Sequence, residues 1–509
     1  MKFAKAILTG AGAVVLAGLT IAQAHAQVTY TYNAAAENPG YTAYIAFYHT
    51  YANQFYVSPS GSDINAGTQD APWATLAHAD ASAPACSVIW IEDGIYSGGS
   101  LPVVHAKVSG TSVCHRAFVA LDYGAAFLQS PTNVTNGNVA GSVENNAEAV
   151  WSSGNYVDWV GFDVSTTSCH GIYADGSNAI LAYNRAHDID NATVPGQSGP
   201  VPCYDGGGLR FAQTGTQGGV MDRNVIWNTG YSGNTNMNGL HGSNQNQVFT
   251  SNLIYNSSGA CISVYQYEEN DVIANNTMAG CGTEGIALGA DPPGCVGGVG
   301  SGLVVANNII DADASSGNIL TYCSSGSVSG TFTNNLNYGG GRLNFANGGT
   351  AVKTVSANPD LDYVASPASG GDFHLESGSP AIGAGIHTYA PTYDLDGKPR
   401  ANPPSIGAYE YTLTQPAPPA PPADLTATGG NDRVALSWSV SSGASSYNVY
   451  RSGTSKTGYA LLAGGITGTS YRDTSALNGT TYYYVVTAVD GAGESSYSNQ
   501  ASATPHKAR

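Results

Sequence analysis

Five short apolar runs recur through the middle of the chain: Gly171-Ile172-Tyr173, Gly208-Leu209-Arg210, Gly239-Leu240-His241, Cys261-Ile262-Ser263 and Gly285-Ile286-Ala287. Each is followed 13 to 23 residues later by an asparagine that opens a second apolar run, at Asn184, Asn224, Asn252, Asn276 and Asn308. The steps between these asparagines are 40, 28, 24 and 32 residues. Self-similarity at roughly 20–50 residues is the mark of a solenoid, in which one coil buries its apolar face only by stacking on the next. In this register the third position of each run aligns Tyr173, Arg210, His241, Ser263 and Ala287 along one face. A solenoid carries its binding or catalytic groove on such a face.

Helical periodicity is almost absent. Short β-branched or aromatic runs separated by Gly, Asn and Ser recur instead, as in Ser87-Val88-Ile89-Trp90-Ile91 and Ala117-Phe118-Val119-Ala120-Leu121, the pattern of strands and turns. Parallel coils explain why strands follow one another without helical crossovers or regular two-residue hairpins. The asparagines read as structural. Asn tolerates a left-handed turn conformation, its amide bonds backbone, and stacked amides bond one another from coil to coil.

Only 10% of residues are charged, with 17 Lys and Arg against 35 Asp and Glu and a net charge of −18. A nucleic-acid partner needs a cationic surface that this composition lacks. A polyanionic substrate would need a local cluster of Arg or Lys, or a bound cation.

The first 26 residues have the layout of a signal peptide: a basic start at Lys2 and Lys5, an apolar stretch from Ile7 to Ile21, and the small-x-small site Ala24-His25-Ala26. No later segment is long and apolar enough to span a bilayer. The expected product is an exported or periplasmic, soluble, monomeric protein. All eight cysteines follow this segment, and an even number in an exported chain favours disulfides. The neighbours 86/114, 169/203, 261/281 and 295/323 are about one coil apart, and no CxxC pair suggests zinc.

Residues 27–54, rich in Tyr and Ala, are assigned no more than a possible N-terminal cap over the open edge of a solenoid spanning 55–411. Residues 412–423 form a Pro/Ala-rich spacer. Residues 424–505 contain the alternating runs of a small antiparallel sandwich.

Three segments resemble known bacterial modules. Phe55-Tyr56-Val57-Ser58-Pro59-Ser60-Gly61-Ser62-Asp63, with Pro72-Trp73-Ala74-Thr75-Leu76 and the turn Glu92-Asp93-Gly94-Ile95-Tyr96, looks like the first coil of secreted right-handed parallel β-helix proteins. Ser379-Pro380-Ala381-Ile382-Gly383-Ala384-Gly385, with Asp394 to Arg400 and Ile406 to Glu410, is similar to the closing segment of that pectate-lyase-like superfamily. The tail with Trp438, Tyr447-Asn448-Val449-Tyr450-Arg451 and Asn478-Gly479-Thr480-Thr481-Tyr482 looks like a fibronectin type III module. The resemblance implies an all-β chain: a right-handed parallel β-helix followed by a fibronectin type III β-sandwich. The superfamily includes polysaccharide lyases, glycoside hydrolases, epimerases and adhesins, and the Asp cluster of its calcium-dependent lyases is not evident here.

Within that frame the expected function is a polysaccharide lyase acting on a uronate-containing glycan. β-Elimination must neutralise a carboxylate, remove the C5 proton and protonate the leaving oxygen. Arg210 is the expected clamp, with His241 and Tyr173 as base and acid; Ser263, Tyr265, Asp175 and His170 are expected to contact substrate. Asp205, together with Asp175, is the expected site should a calcium ion be held between coils. The rival reaction is hydrolysis by two carboxylates drawn from Asp175, Asp205, Glu268, Glu269 and Glu284. The third reading is a non-catalytic glycan-binding or adhesin solenoid. Insertions at 190–204 and 228–238 are expected to wall the groove.

Overall fold

The structure, a computed structural model, describes residues 39–97, 102–129, 148–165, 169–189, 206–211, 217–230, 237–265, 269–289, 302–311, 317–321, 330–339, 343–344, 351–361, 372–412, 419–490 and 493–507. The chain divides into two units, one ending at Glu410 and the other starting at Tyr411.

Among the described residues the first unit winds through three parallel sheets in turn, of eleven, nine and nine strands. One coil illustrates the order: Ile180–Ala182 on the first face, Arg185–Ile189 on the second, Gly206–Phe211 on the third. Neighbouring strands in each sheet come from successive coils, so every pairing is parallel. This is a three-sided parallel β-helix.

Its interior is built from residues stacked in register. Leu181, Met221, Phe249, Ile273 and Val305 line the first face from inside. Ala186, Ile226, Ile254, Met278 and Ile310 line the second; Ile172, Leu209, Leu240, Ile262, Ile286 and Ile319 line the third. All are buried in one continuous core. At about 1.5–3 kcal/mol for each large aliphatic side chain removed from water, this stacking dominates the stability of the unit.

The corner between the first and second faces is where the recurring asparagines lie. Asn184 donates its amide to Asn224 Oδ1 at 3.2 Å, Asn224 to Asn252 at 3.0 Å, and Asn252 to Asn276 at 2.9 Å. Asn276 continues to Asn308 at 3.0 Å, and Asn308 to a sixth rung, Asn335, at 2.9 Å. Each rung from Asn184 to Asn335 also donates to a backbone carbonyl inside the corner. The left-handed conformation expected of these asparagines falls one residue earlier. Tyr183, Arg223, Ser251, Asn275, Asn307 and Asn334 have φ between 52° and 57°. The ladder residue supplies the amide, and its predecessor makes the turn.

Residues 379–410 form a strap along this same corner. The turn residues reach out to it: Asn334 donates to Ala384 O, Asn307 to Ile386 O, and Asn275 to Ser405 O. Arg400 donates to Ser251 Oγ at 3.1 Å. The segment similar to a terminal closure therefore runs along the solenoid's flank. Helix α2 (Leu76–Ser82) feeds Leu76 and Ala79, followed by Ala83, into the main core. Helix α1 (Pro39–Ile45) packs Tyr41 and Ile45 on the outside of the first face against Val88, Trp90, Val119 and Val160. The described part of residues 27–54 thus flanks a sheet through its tyrosines, in place of the cap over an open edge expected from sequence.

Cys86–Cys114 and Cys261–Cys281 are disulfides, each joining adjacent coils as the spacing predicts; Cys169 is disulfide-bonded as well. Cys203, Cys295 and Cys323 lie outside the described residues, as does the signal-peptide segment. Among the described residues no helix is long and apolar enough to cross a membrane.

The second unit is a β-sandwich. One sheet joins Thr426–Gly430, Arg433–Ser437 and Ser470–Asp473; the other is built on Ser446–Ser452 and Tyr482–Asp490. All its pairings are antiparallel. Trp438, Tyr447, Val449, Tyr484 and Val486 fill its core.

Candidate functional site

On the third face, side chains alternate between the core and the outside. The outward row reads His105, Trp151, Tyr173, Arg210, His241, Ser263, Ala287 and Leu320, each in register with the next. The alignment read from the glycine-led runs is the alignment in the fold, with Arg210 directly paired to His241. Successive positions are one strand spacing apart, about 4.8 Å.

The row has two parts. At its N-terminal end, His105 lies flat on Trp151 with ring centroids 3.8 Å apart and planes 7° from parallel. Both rings are half-exposed, as is Tyr173. This forms an aromatic platform. The next two positions, Arg210 and His241, are buried outside the core and make the floor. The Arg210 guanidinium lies 5.6 Å from the centre of the Tyr173 ring, within cation–π range. His170 stacks on the same tyrosine at 5.4 Å.

Hydrogen bonds fix the tautomer of His241. Asn238 Oδ1 accepts the Ala260 N–H at 3.2 Å, so its amide nitrogen faces His241 Nδ1 at 3.1 Å. Nδ1 therefore holds the lone pair, and Nε2–H donates to Ser243 Oγ at 2.8 Å. Burial and then the charge of Arg210 push His241 well below the ordinary imidazole pKa. The same two causes, with His241 added, do so for His170. Two neutral imidazoles thus stand beside a guanidinium. A neutral imidazole can take a proton, and the guanidinium can hold an anion.

The other expected residues divide. Ser263 follows His241 in the row, and Tyr265 ends the same strand, paired to Gly289. Asp175 lies just past the Tyr173 strand, its N–H donating to Ser152 O at 3.0 Å; burial raises its carboxyl pKa. Asp205, Glu268 and most of both expected loop walls lie outside the described residues. His187 sits on the second face, bonded to Asp163 and Asp188 and stacked on Trp227 at 4.2 Å. Arg185 pairs there with Asp163, and Arg223 occupies the ladder corner.

Sequence reasoning missed His105, Trp151, Asn238 and Ser243. Trp151 sits in Glu148–Ser152, a third-face strand that no glycine announces. Asn238 and Ser243 flank the predicted histidine on either side, a signal that was present in its immediate neighbours.

The expected calcium site rests on Asp205, which lies outside the described residues. Burial raises the carboxyl pKa of Asp175, and among the described residues no group of three or more His, Cys, Asp or Glu side chains is placed to hold a metal.

No family model matches the chain. It is 45% identical over 78 residues to an amylopullulanase of Thermoanaerobacterium saccharolyticum, a match covering 15% of this chain and 6% of that one. It is 49% identical over 85 residues to a poly(3-hydroxybutyrate) depolymerase of Ralstonia pickettii, covering 16% of each. The chain thus spans only a small fraction of these curated relatives. Among solved structures, an Fn3-like protein from Clostridium thermocellum is 38% identical, covering 18% of this chain and 97% of that one, with a TM-score of 0.17. Pectate lyase Pel9A aligns with 71% of this chain and 97% of its own at 15% identity and a TM-score of 0.45. The Fn3-like similarity covers a part of the chain separate from the solenoid.

Proposed function

We propose that the protein is a secreted polysaccharide lyase, cleaving a uronate-containing glycan by β-elimination on the outside of the third face. The observation that carries this reading is the paired register of Arg210 and His241 at the floor, next to the Trp151 platform. A linear polymer laid along the solenoid axis meets one row position per coil. Its sugar faces would stack on the half-exposed rings.

The chemistry assigns each floor residue a task. Arg210 holds the uronate carboxylate and stabilises the charge that develops when the C5 proton leaves. His241 takes that proton at Nδ1, which requires the substrate to displace the Asn238 amide from it. The C5 electron pair forms the C4–C5 double bond, the C4–O bond breaks, and Tyr173 gives its phenolic proton to the leaving oxygen. His241 then returns a proton and Tyr173 regains one through solvent. His170 remains neutral against Tyr173 and keeps its ring in place. The disulfides support the exported state that this substrate requires.

Hydrolysis is less well supported because the row itself carries no carboxylate between His105 and Leu320. One assay separates the readings. The mature protein is incubated with a panel of uronate-containing and neutral polysaccharides, with calcium and with chelator, while ultraviolet absorbance and reducing ends are followed. Absorbance rising together with reducing ends is the expected result for a uronate polymer. Reducing ends alone establish a hydrolase, and binding without turnover on every polymer leaves the adhesin reading.

A further inference from the structure

On the first face, away from the row, lies a cavity of about 650 Å³ enclosed by α1 and the residues after it, the outside of the sheet, and the strap. This volume falls within the range of sites that hold small organic ligands. Tyr44, Phe47, Tyr48, Tyr51, Tyr183 and Tyr393 supply its aromatic walls.

Two buried charged side chains are aimed into it, and both are already neutralised by protein. Asp158, 1% exposed, accepts from His115 Nδ1 at 2.7 Å and from Tyr48 Oη at 2.9 Å. Arg223 pairs with Asp222 at 3.3 Å and donates to Tyr183 Oη at 3.2 Å, its guanidinium lying over the rings of Tyr44 and Tyr183. Its Nε–H is buried and has no hydrogen-bond partner. The ligand chemistry follows from these three facts. Flat aromatic walls call for a molecule with a flat apolar face. Fixed donors and acceptors call for hydroxyl groups, and balanced charges offer nothing to a net anion or cation.

We propose that this cavity binds a neutral sugar of one or two pyranose rings, as a site separate from the third-face row. Phe47 and Tyr393 provide the outer stacking surface, being 61% and 47% exposed, while Arg223 and Asp158 fix the hydroxyls at the back. The site stands whatever reaction the row performs. Its role would be to hold a neutral stretch or branch of the glycan while the third-face row works.

Isothermal titration of the mature protein with cellobiose, maltose and lactose, and with digalacturonate as the charged comparison, tests this. At least one neutral disaccharide should bind, and digalacturonate should not compete with it. The double variant Phe47→Ala/Tyr393→Ala should weaken that binding about tenfold or more. Both side chains are exposed, so its melting temperature should match the parent. Trp151→Ala should leave the binding unchanged. Absence of binding by all three at about 10 mM, binding untouched by the double variant, or binding lost with Trp151→Ala each overturns the proposal.

Discussion

Two stripes run along the solenoid, and they are built on opposite rules. At the corner of the first and second faces, six successive coils carry the same residue, Asn184 through Asn335. Along the outside of the third face, from His105 to Leu320, no two successive coils carry the same one. The ladder repeats because each amide must meet an identical amide above and below it; one different rung leaves two neighbours short. The outward row has no such requirement, since its backbone pairs regardless of side chain. Repetition therefore marks what holds the coils together. Variation at a fixed register marks where chemistry can accumulate.

The largest effect that tests this contrast is on stability. Asn252 accepts the Asn224 N–H at 2.9 Å and the Asn224 amide at 3.0 Å, and donates to Met221 O at 2.8 Å and to Asn276 Oδ1 at 2.9 Å. Asn252→Ala strands several of these partners in a dry corner, and about 4 kcal/mol of destabilisation is expected from unmade buried hydrogen bonds. Ser263→Ala on the row should cost less than about 1 kcal/mol. Urea unfolding of both variants measures the difference. Equal losses would show that the row is as structural as the ladder.

The next effect reverses the ranking. Arg210→Met keeps an aliphatic stem beside Tyr173 but removes the charge that would stabilise the eliminating carboxylate. Turnover on the cleaved polymer should fall by about 10²–10³, the scale of losing one electrostatic contact at a reacting centre. The unfolding midpoint should stay near that of the parent. A variant that keeps its turnover moves the chemistry off this row.

The register of both stripes was legible because the chain writes it locally. Each Gly-led run sets a third-face strand, each Asn starts a second-face strand, and the insertions fall between them without changing the count. What was not legible depends on contacts between distant segments. Trp151 joined the row only through pairing with Tyr173, because 148–152 begins with Glu148 and not with glycine. The path of the strap is set by Asn275, Asn307 and Asn334, which in sequence look like duplicate ladder residues. Asn335 was hidden the same way, behind a neighbour of its own kind. The docking of α1 rests on tyrosines spaced too irregularly over seven residues to reveal a buried side.

The smallest effect compares two histidines on different faces. Burial opposes charge on His187, but Asp163 at 2.8 Å and Asp188 at 2.9 Å outweigh it and raise its pKa to about 9. Burial and Arg210 both act the other way on His241, holding it well below the ordinary value. The consequences for stability have opposite signs. Charged His187 is favoured by folding, so its contribution is complete below the unfolded pKa of about 6.5 and fades as pH rises through about 9. Neutral His241 is favoured by folding, so its contribution is complete above about 6.5 and fades as pH falls below that. NMR titration of the imidazole Cε1–H signals reads both. The His187 signal should move near pH 9, while that of His241 stays neutral through 6.5. Arg210→Met should raise the His241 midpoint and leave that of His187 in place. A parent His241 that titrates at the ordinary value would remove the neutral base from the floor of the row, and with it the electrostatic difference between the two faces.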